Sequence, residues 1–310
     1  MAEPVMMPDS LAAGLWIGLS TLNLVLLAAV LVILLLTSRK TTRRMKRARL
    51  MRRKIHDHVV KVRTEMQKYD ERLDRRFDRS IWPQIESLTS LYRLIDGKID
   101  FPPTRRWAVS PDLLRHVAEH IRRHAPKTIV ECGSGTSTVL MAHLLNALGQ
   151  DGHIFAIENH VPTIDAVRVQ LRRHDLERFV TLVVAPLTER QYPGYETLFH
   201  WYDLGVDTVP VGIDLLIVDG PASTVNECAR YPAGPELFPK LARDAHVFVD
   251  DTNREEEQRM LRRWRKLYPD LGIRRLPAEK GCAELFFLDH KIEDYLPREW
   301  RDSASAPSSS

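Results

Sequence analysis

Three groups of residues have the types and spacing to do chemistry. The first is Glu131-Cys132-Gly133-Ser134-Gly135-Thr136-Ser137, which follows the apolar run Thr128-Ile129-Val130 and leads into Thr138-Val139-Leu140-Met141. Two glycines in such a loop let the backbone turn sharply and approach a ligand with no Cβ in the way. Between a strand and a helix, the loop would hold that ligand over the strand ends, beside the helix N-terminus. The second group is Glu158, with Asn159 beside it, closing the run Ile154-Phe155-Ala156-Ile157. An acid there can accept hydrogen bonds from both ribose hydroxyls of a nucleoside. The third group is Asp219, at the end of Leu215-Leu216-Ile217-Val218, and the pair Asp250-Asp251, at the end of His246-Val247-Phe248-Val249. Three carboxylates at strand tips could take a proton from a substrate or hold one Mg²⁺ through their oxygens. Arg230 follows the Asp219 strand and suits an anionic or polyhydroxy substrate, while His200, Trp201 and Tyr202 read as loop residues able to face it.

These groups need elements to position them. Ser110-Pro111-Asp112 opens a helix, with Ser as N-cap, Pro in the first turn and Asp at the positive end. From there the chain alternates. Strands are expected at Thr128–Cys132, Ile154–Glu158, Val180–Val184, Asp214–Asp219 and His246–Asp250, with helices at Ser137–Leu148, Ile164–His174 and Glu255–Tyr268. Ile273–Leu276 and Glu284–Leu288 form a closing pair around Lys280-Gly281. Such alternation specifies an α/β fold with a parallel, doubly wound sheet.

The acid, the Gly-x-Gly turn and the following hydroxyl (Glu131, Gly133, Gly135, Ser137), with Glu158 ending the second strand, resemble class I S-adenosylmethionine-dependent methyltransferases. The likeness runs from about Trp107 to Leu288 and is nearest the small-molecule O-methyltransferases related to catechol O-methyltransferase. It implies a Rossmann-like seven-stranded sheet in the order 3-2-1-4-5-7-6, the last strand antiparallel. It also implies S-adenosylmethionine as cofactor, held by Glu131, Gly133, Ser134, Gly135, Ser137, Glu158, Asn159, Ala185 and Asp219, with Ala185 at the third strand end near the adenine. Asp219, Asp250, Asp251 and Arg230 are the catalytic candidates, and Asp219, Asp250 and Asp251 the metal candidates. The sequence departs from the catechol-type pattern in two places: Asn253 is displaced from the position after the fifth-strand Asp, and Gly220-Pro221-Ala222 stands where a Lys would follow the fourth strand. A base and a Mg²⁺ ion therefore both stay open as the means of activating the acceptor.

The rest of the chain reads as an anchor. From Leu11 to Ser38 there is no charged residue, and about 20 apolar residues suffice to cross the hydrocarbon core as a helix. Glu3 and Asp9 precede the run, and the basic stretch from Arg39 to Lys54 follows it. That asymmetry puts the N-terminus outside and the rest in the cytoplasm, with the basic stretch placed to meet anionic lipid headgroups. Ile55, Val59, Val62, Met66, Tyr69 and Leu73 recur at alternating steps of four and three. The stripe suits either an amphipathic stalk on its own domain or a short coiled coil pairing two chains. Pro83 is expected to break this helix.

The expected division is a short extracytoplasmic N-terminus (1–10), a transmembrane helix (11–38), a basic juxtamembrane segment (39–54), a helical stalk (55–100), a methyltransferase domain (101–300) and a disordered tail (301–310). Phe101-Pro102-Pro103 would form an extended connector. The protein would be a single-pass cell-membrane enzyme acting on a small-molecule, lipid-linked or glycan acceptor.

The net charge of the 310 residues is only +4, and the basic excess is local, so nucleic acid is not an expected partner. Cys132, Cys228 and Cys282 are isolated, which argues against a disulfide framework or structural zinc. Two rival readings remain. A dehydrogenase or sugar-nucleotide enzyme would carry a third glycine where Thr138 stands, and no Gly-Lys-Ser/Thr phosphate loop is present either. A catalytically inactive membrane scaffold would keep the fold without turnover.

Overall fold

The computed structural model describes residues 9–95, 108–192, 195–205 and 207–288, without the side chains of 9–20, 22 and 79. The expected connector at 101–103, the tail 301–310 and residues 1–8 lie outside them. Two compact units divide at Arg75/Arg76.

In the first unit, helix α1 runs unbroken from Asp9 through the apolar run, the basic stretch and the six-residue stripe, to Arg76. The three segments expected from the sequence are thus one helix. Their composition changes while their helical propensity does not, since Lys, Arg, Met, Leu and Ala are all good formers. At 1.5 Å per residue, the charge-free run alone extends about 40 Å. Among the described residues α1 is the one helix long and apolar enough to cross a membrane, by length and composition. Where the run ends, Thr37, Thr41 and Thr42 donate their hydroxyls to the carbonyls of Ile33, Thr37 and Ser38, each at 2.8 Å. No threonine hydroxyl there is left without a partner inside an apolar stretch.

The second unit opens on a π turn, Phe77–Ile81, followed by helix α2, Trp82–Leu94. Pro83 sits in the first turn of α2, where its missing N–H costs nothing, so the expected break is a change of helical register. Leu91 and Ile95 are buried with Leu113, Leu114 and Val117 of α3, Pro111–His124. The upper part of the expected stalk is therefore a layer of the folded domain. Ser110 precedes α3 as foreseen, but its hydroxyl donates to Asp112 Oδ1 and accepts no capping bond from a helix N–H. Asp112 Oδ2 in turn accepts from Gln84 Nε2 of α2 and from the Glu279 N–H at 2.7 Å. One buried carboxylate thus ties α2, α3 and the turn before the last strand.

The strands are β1 Thr128–Cys132, β2 His153–Glu158, β3 Val180–Val184, β4 Leu187–Arg190, β5 Phe199–Tyr202, β6 Ile213–Val218, β7 Leu241–Asp250, β8 Leu271–Leu276 and β9 Cys282–Phe287. Seven of them make one sheet in the order β3-β2-β1-β6-β7-β9-β8. With β4 and β5 set aside, this is the expected 3-2-1-4-5-7-6. β9 runs antiparallel to both neighbours and the rest of the β3-to-β7 sheet is parallel. Helices α4 (Thr136–Leu148) and α5 (Val161–Arg173) follow β1 and β2, the short α6 (Ala233–Leu237) lies between β6 and β7, and α7 (Glu255–Leu267) follows β7.

Alternate residues of the strands face opposite cores. Val130, Leu216, Val218, Val247 and Val249 pack with Trp264 and Phe238, whereas Ile129, Leu215, Ile217 and Phe248 pack with α3 and α4. All three cysteines are buried and unbridged. The antiparallel pair β4–β5 was not expected. It makes Trp201 and Tyr202 strand residues with essentially no exposed surface, so they are not the loop residues foreseen.

Candidate active site

The glycine loop and every acid singled out by chemistry lie at the C-terminal ends of parallel strands, where open α/β sheets hold their ligands. After β1 the chain turns through Gly133 at φ +91°. A side chain there would be strained and would crowd the Gly220 backbone, 3.4 Å from where its Cβ would stand. Gly220 is constrained from the other side, because a Cβ on it would overlap the Tyr202 hydroxyl and the Gly133 backbone. The chain after β1 and after β6 therefore comes closest at two glycines.

Gly135 is different. Its φ of 169° is extended backbone open to any residue, and a Cβ on it would meet no atom within 4 Å. Its side-chain direction is open space at the strand ends.

Glu131 and Ser137 lie beneath this loop. Glu131 is fully buried and accepts hydrogen bonds from the hydroxyls of Ser137 and Thr138. Thr138 Oγ1 also accepts from the Gly135 N–H at 3.0 Å. The residue that breaks the dinucleotide pattern thus joins the glycine loop to the buried acid. Burial pushes the Glu131 pKa up to about 7, with Glu158 adding to the rise and the two hydroxyls opposing it.

Glu158, at the tip of β2, accepts from the N–H of Ser134 at 3.1 Å and of His160 at 2.7 Å. Ser134 Oγ is buried with no partner among the described residues. Ala185, just past β3, is buried and donates its N–H to the Glu158 carbonyl at 2.9 Å. Asn159 is half-buried beside Glu158. The open side of Gly135, the orphaned Ser134 hydroxyl and the carboxylate of Glu158 fit a nucleoside cofactor.

The acidic side of the site is organised by Arg230. Its side chain is 5% exposed. Nη2 donates to Asp219 Oδ1 at 3.1 Å and to Asp251 Oδ2 at 2.8 Å, and Nη1 donates to the Asp250 carbonyl at 3.0 Å. Asp251 reaches it because its backbone turns left-handed at φ +61°, while its N–H donates to Asp250 Oδ1 at 2.7 Å. Asp tolerates that conformation better than most residues. Arg254 Nη1 lies 2.9 Å from Asp251 Oδ2, and Glu257 comes within 3.9 Å of Arg230. Burial opposes the charge on Arg230, but the surrounding acids hold it firmly protonated. Burial pushes Asp219 and Asp250 above the usual carboxylate range, against the pull of Arg230.

Asp219 keeps 16% of its side chain exposed, against 6% for Asp251, and Asp250 is almost wholly buried. Of the three, Asp219 is the one a substrate can meet.

The oxygens of Asp219, Asp250 and Asp251 lie within 4.8 Å of one another, close enough to suggest a cation site. The residues nevertheless do not fit a resident Mg²⁺. A hard cation needs several anionic oxygens turned to one point, and here Arg230 bonds two of the three carboxylates, with Arg254 adding a second positive charge.

Sequence reasoning passed over two participants. Arg254 and Glu257 sit three residues apart at the start of α7, directly after the Asp pair, a spacing that would have flagged them. Tyr202, expected on a loop able to face a substrate because its strand was not recognised, is instead a buried strand residue whose hydroxyl has no described partner and stands against Gly220. His200 is exposed on β5, with Nε2 3.4 Å from Glu189, and takes no part in this network.

The family model of a methyltransferase domain matches residues 130–252, the stretch from β1 to just past β7 that carries the glycine loop, Glu158, Asp219, Arg230 and the Asp250-Asp251 pair. No curated protein sequence matches the chain. Similar solved structures include a methyltransferase from Geobacter sulfurreducens (15% identical, covering 66% of this chain and 89% of that one, TM-score 0.42). An S-adenosylhomocysteine-bound methyltransferase from Podospora anserina is also 15% identical, covering 66% and 88%, with TM-score 0.44. An O-methyltransferase from Bacillus cereus in complex with S-adenosylhomocysteine is 15% identical, covering 65% and 90%, with TM-score 0.41.

Proposed function

We propose, from the premise that the domain built on Val130–Thr252 is a class I S-adenosylmethionine-dependent methyltransferase, that the chain is a membrane-anchored O-methyltransferase whose acceptor is deprotonated without a metal. The observation that carries this reading is the meeting of Gly133–Gly135, Glu158 and Asp219 at the ends of β1, β2 and β6, with Arg230 in the place a cation would need. The cofactor, when bound, supplies a methyl group on a sulfonium, a good leaving group. The chain's own residues then have two tasks. The loop over Gly135 and the carboxylate of Glu158 hold the nucleoside, which fixes the methyl relative to the acceptor; alignment of this kind supplies much of the rate. Asp219 takes the acceptor's hydroxyl proton. Burial has made it a stronger base than a surface carboxylate, and Arg230 keeps it oriented. Asp250 and Asp251 act through Arg230, as positioning residues. The acceptor class that suits a membrane-tethered site is a lipid-linked or glycan intermediate with free hydroxyls.

Transfer of a labelled methyl group to the hydroxyl-bearing fraction of a membrane extract, run in excess EDTA, tests the chemistry. Full activity in EDTA is the expected result. Activity that vanishes in EDTA and returns with Mg²⁺ would overturn the metal-free reading.

Anchoring rests on the charge-free run of α1 and the basic stretch after it, and pairing of two copies rests on the stripe Ile55, Val59, Val62, Met66, Tyr69 and Leu73. These apolar side chains are exposed within their unit. A second copy is the natural cover for a seam with steps of four and three. One variant reads both claims. Val62→Cys introduces a thiol into a chain whose own three cysteines are buried. It should react with an impermeant maleimide only after cells are opened, and should cross-link to a dimer on oxidation, whereas Arg63→Cys should not cross-link. Labelling in intact cells would reverse the orientation. Equal cross-linking at positions 62 and 63 would rule out the seam.

A further inference from the structure

On the α3 face of the sheet, away from the strand tips, three side chains converge that the methyl-transfer site does not use. α3 carries His116, His120 and His124 at steps of four, and so on one helical face. His246 lies on β7, four residues before Asp250 and so about 13 Å down the strand from the active-site end. Glu284 is on β9, where it is paired with Phe248. The His120 ring lies 4.4 Å from that of His124 and 4.6 Å from that of His246. His246 Nδ1 is 2.8 Å from Glu284 Oε1, while Arg274 holds the other oxygen, Oε2. His120 is 7% exposed, and neither of its ring nitrogens has a hydrogen-bond partner among the described residues. A cavity of about 110 Å³ opens against the cluster.

We propose that His120, His246 and Glu284 form a second site, specific for a zinc-type divalent ion, with His124 one turn away as a further ligand. One donor atom from each of the three lies within 4.8 Å of the others. Two imidazoles and a carboxylate are a donor set that zinc favours, with a coordination position left over. Tetrahedral bonds of about 2.0–2.1 Å require donors about 3.4 Å apart, which a small turn of the two rings supplies. Arg274 occupies Oε2, and Oε1, which pairs with His246 Nδ1, is the oxygen that would turn to the ion. Glu284 can serve either as direct ligand or as the partner that orients His246 toward it, and both arrangements are common around zinc. The ion would join α3 to the antiparallel edge of the sheet. Plain ring packing is the competing account. It explains the stacking but gives the His120 ring nitrogens no hydrogen-bond partner among the described residues.

The test uses the full-length protein in detergent, prepared without a polyhistidine tag, stripped of metal and titrated with Co²⁺ and then Zn²⁺. One Co²⁺ per chain should bind, with visible absorption bands that one equivalent of Zn²⁺ removes. His120→Ala and His246→Ala should each weaken binding at least tenfold, and His174→Ala, at a distant ring pair, should not. If either alanine variant fails to melt cooperatively, His120→Asn and His246→Gln take its place. Absence of stoichiometric Co²⁺ or Zn²⁺ uptake by the folded parent overturns the proposal. So does parental affinity in the folded His120 and His246 variants.

Discussion

Gly135→Val should weaken S-adenosylmethionine binding by about 100-fold or more, on the order of 2.7 kcal/mol, while leaving the melting temperature close to the parent's. Both halves of the result come from the local backbone. The φ of 169° suits valine, and no atom stands within 4 Å of the new Cβ, so the fold loses little. The same open space is where the cofactor must come close to the loop, and two added methyl groups fill it. Gly133→Val also removes binding, but for another reason. At φ +91°, against the Gly220 backbone, a β-branched residue is strained, and the loops after β1 and β6 separate. Gly133→Val should therefore lose stability together with binding, and only Gly135→Val isolates the ligand's own need for space. Equilibrium dialysis with labelled cofactor, run beside a thermal melt, separates the two. Parental affinity in a folded Gly135→Val protein would remove the glycine loop from the cofactor site.

Asp219→Asn should lower the methyl-transfer rate on the order of 10²-fold with cofactor affinity nearly unchanged. It removes the one strand-tip carboxylate open to a substrate while keeping the shape and the contact to Arg230. Asp250→Asn should affect the rate less, because that side chain is almost wholly buried and acts only through its neighbours. Arg230→Met is the structural counterpart. It strands Asp219, Asp251 and Glu257 around an uncharged side chain, and removing one partner of a buried ion network costs about 3–5 kcal/mol. Arg230→Lys should restore part of the stability but not the two-point grip on Asp219 and Asp251. Rate measurements across pH on the four proteins check this. Loss of the rising acid limb in Asp219→Asn is the signature of a lost base, which a merely structural role would not produce. Parental rates in folded Asp219→Asn would reduce the strand-tip acids to strand termination and capping.

Much of this was legible in the sequence because the signals were local. A β-rich run, a Gly-x-Gly turn and a helix placed β1 and its loop, and the same alternation carried through to β9 for the main sheet, with the largest shift at β7, which starts at Leu241 and not at His246. The strand order followed from the resemblance, not from any single residue. What stayed hidden depended on packing at long range. β4 and β5 are four residues each and bounded by Pro186 and Asp203, too short for periodicity to register, so the burial of Trp201 and Tyr202 was invisible. Arg230 read as a lone charge after a strand. Its place among three acids depends on a tertiary turn, above all the left-handed Asp251, which no spacing rule reports. The His120–His246–Glu284 cluster combines one helix face with two strands that are not neighbours in sequence, and shows only once the sheet is assembled.

The central claim is that the glycine loop and Glu158 hold S-adenosylmethionine and not a dinucleotide. Calorimetric titration of the full-length chain with S-adenosylhomocysteine, and separately with NAD, tests it most directly. One S-adenosylhomocysteine per chain with micromolar-order affinity, near about −8 kcal/mol, and no heat from NAD is the predicted result. Saturable binding of NAD, or no binding of S-adenosylhomocysteine by a folded chain, would contradict it.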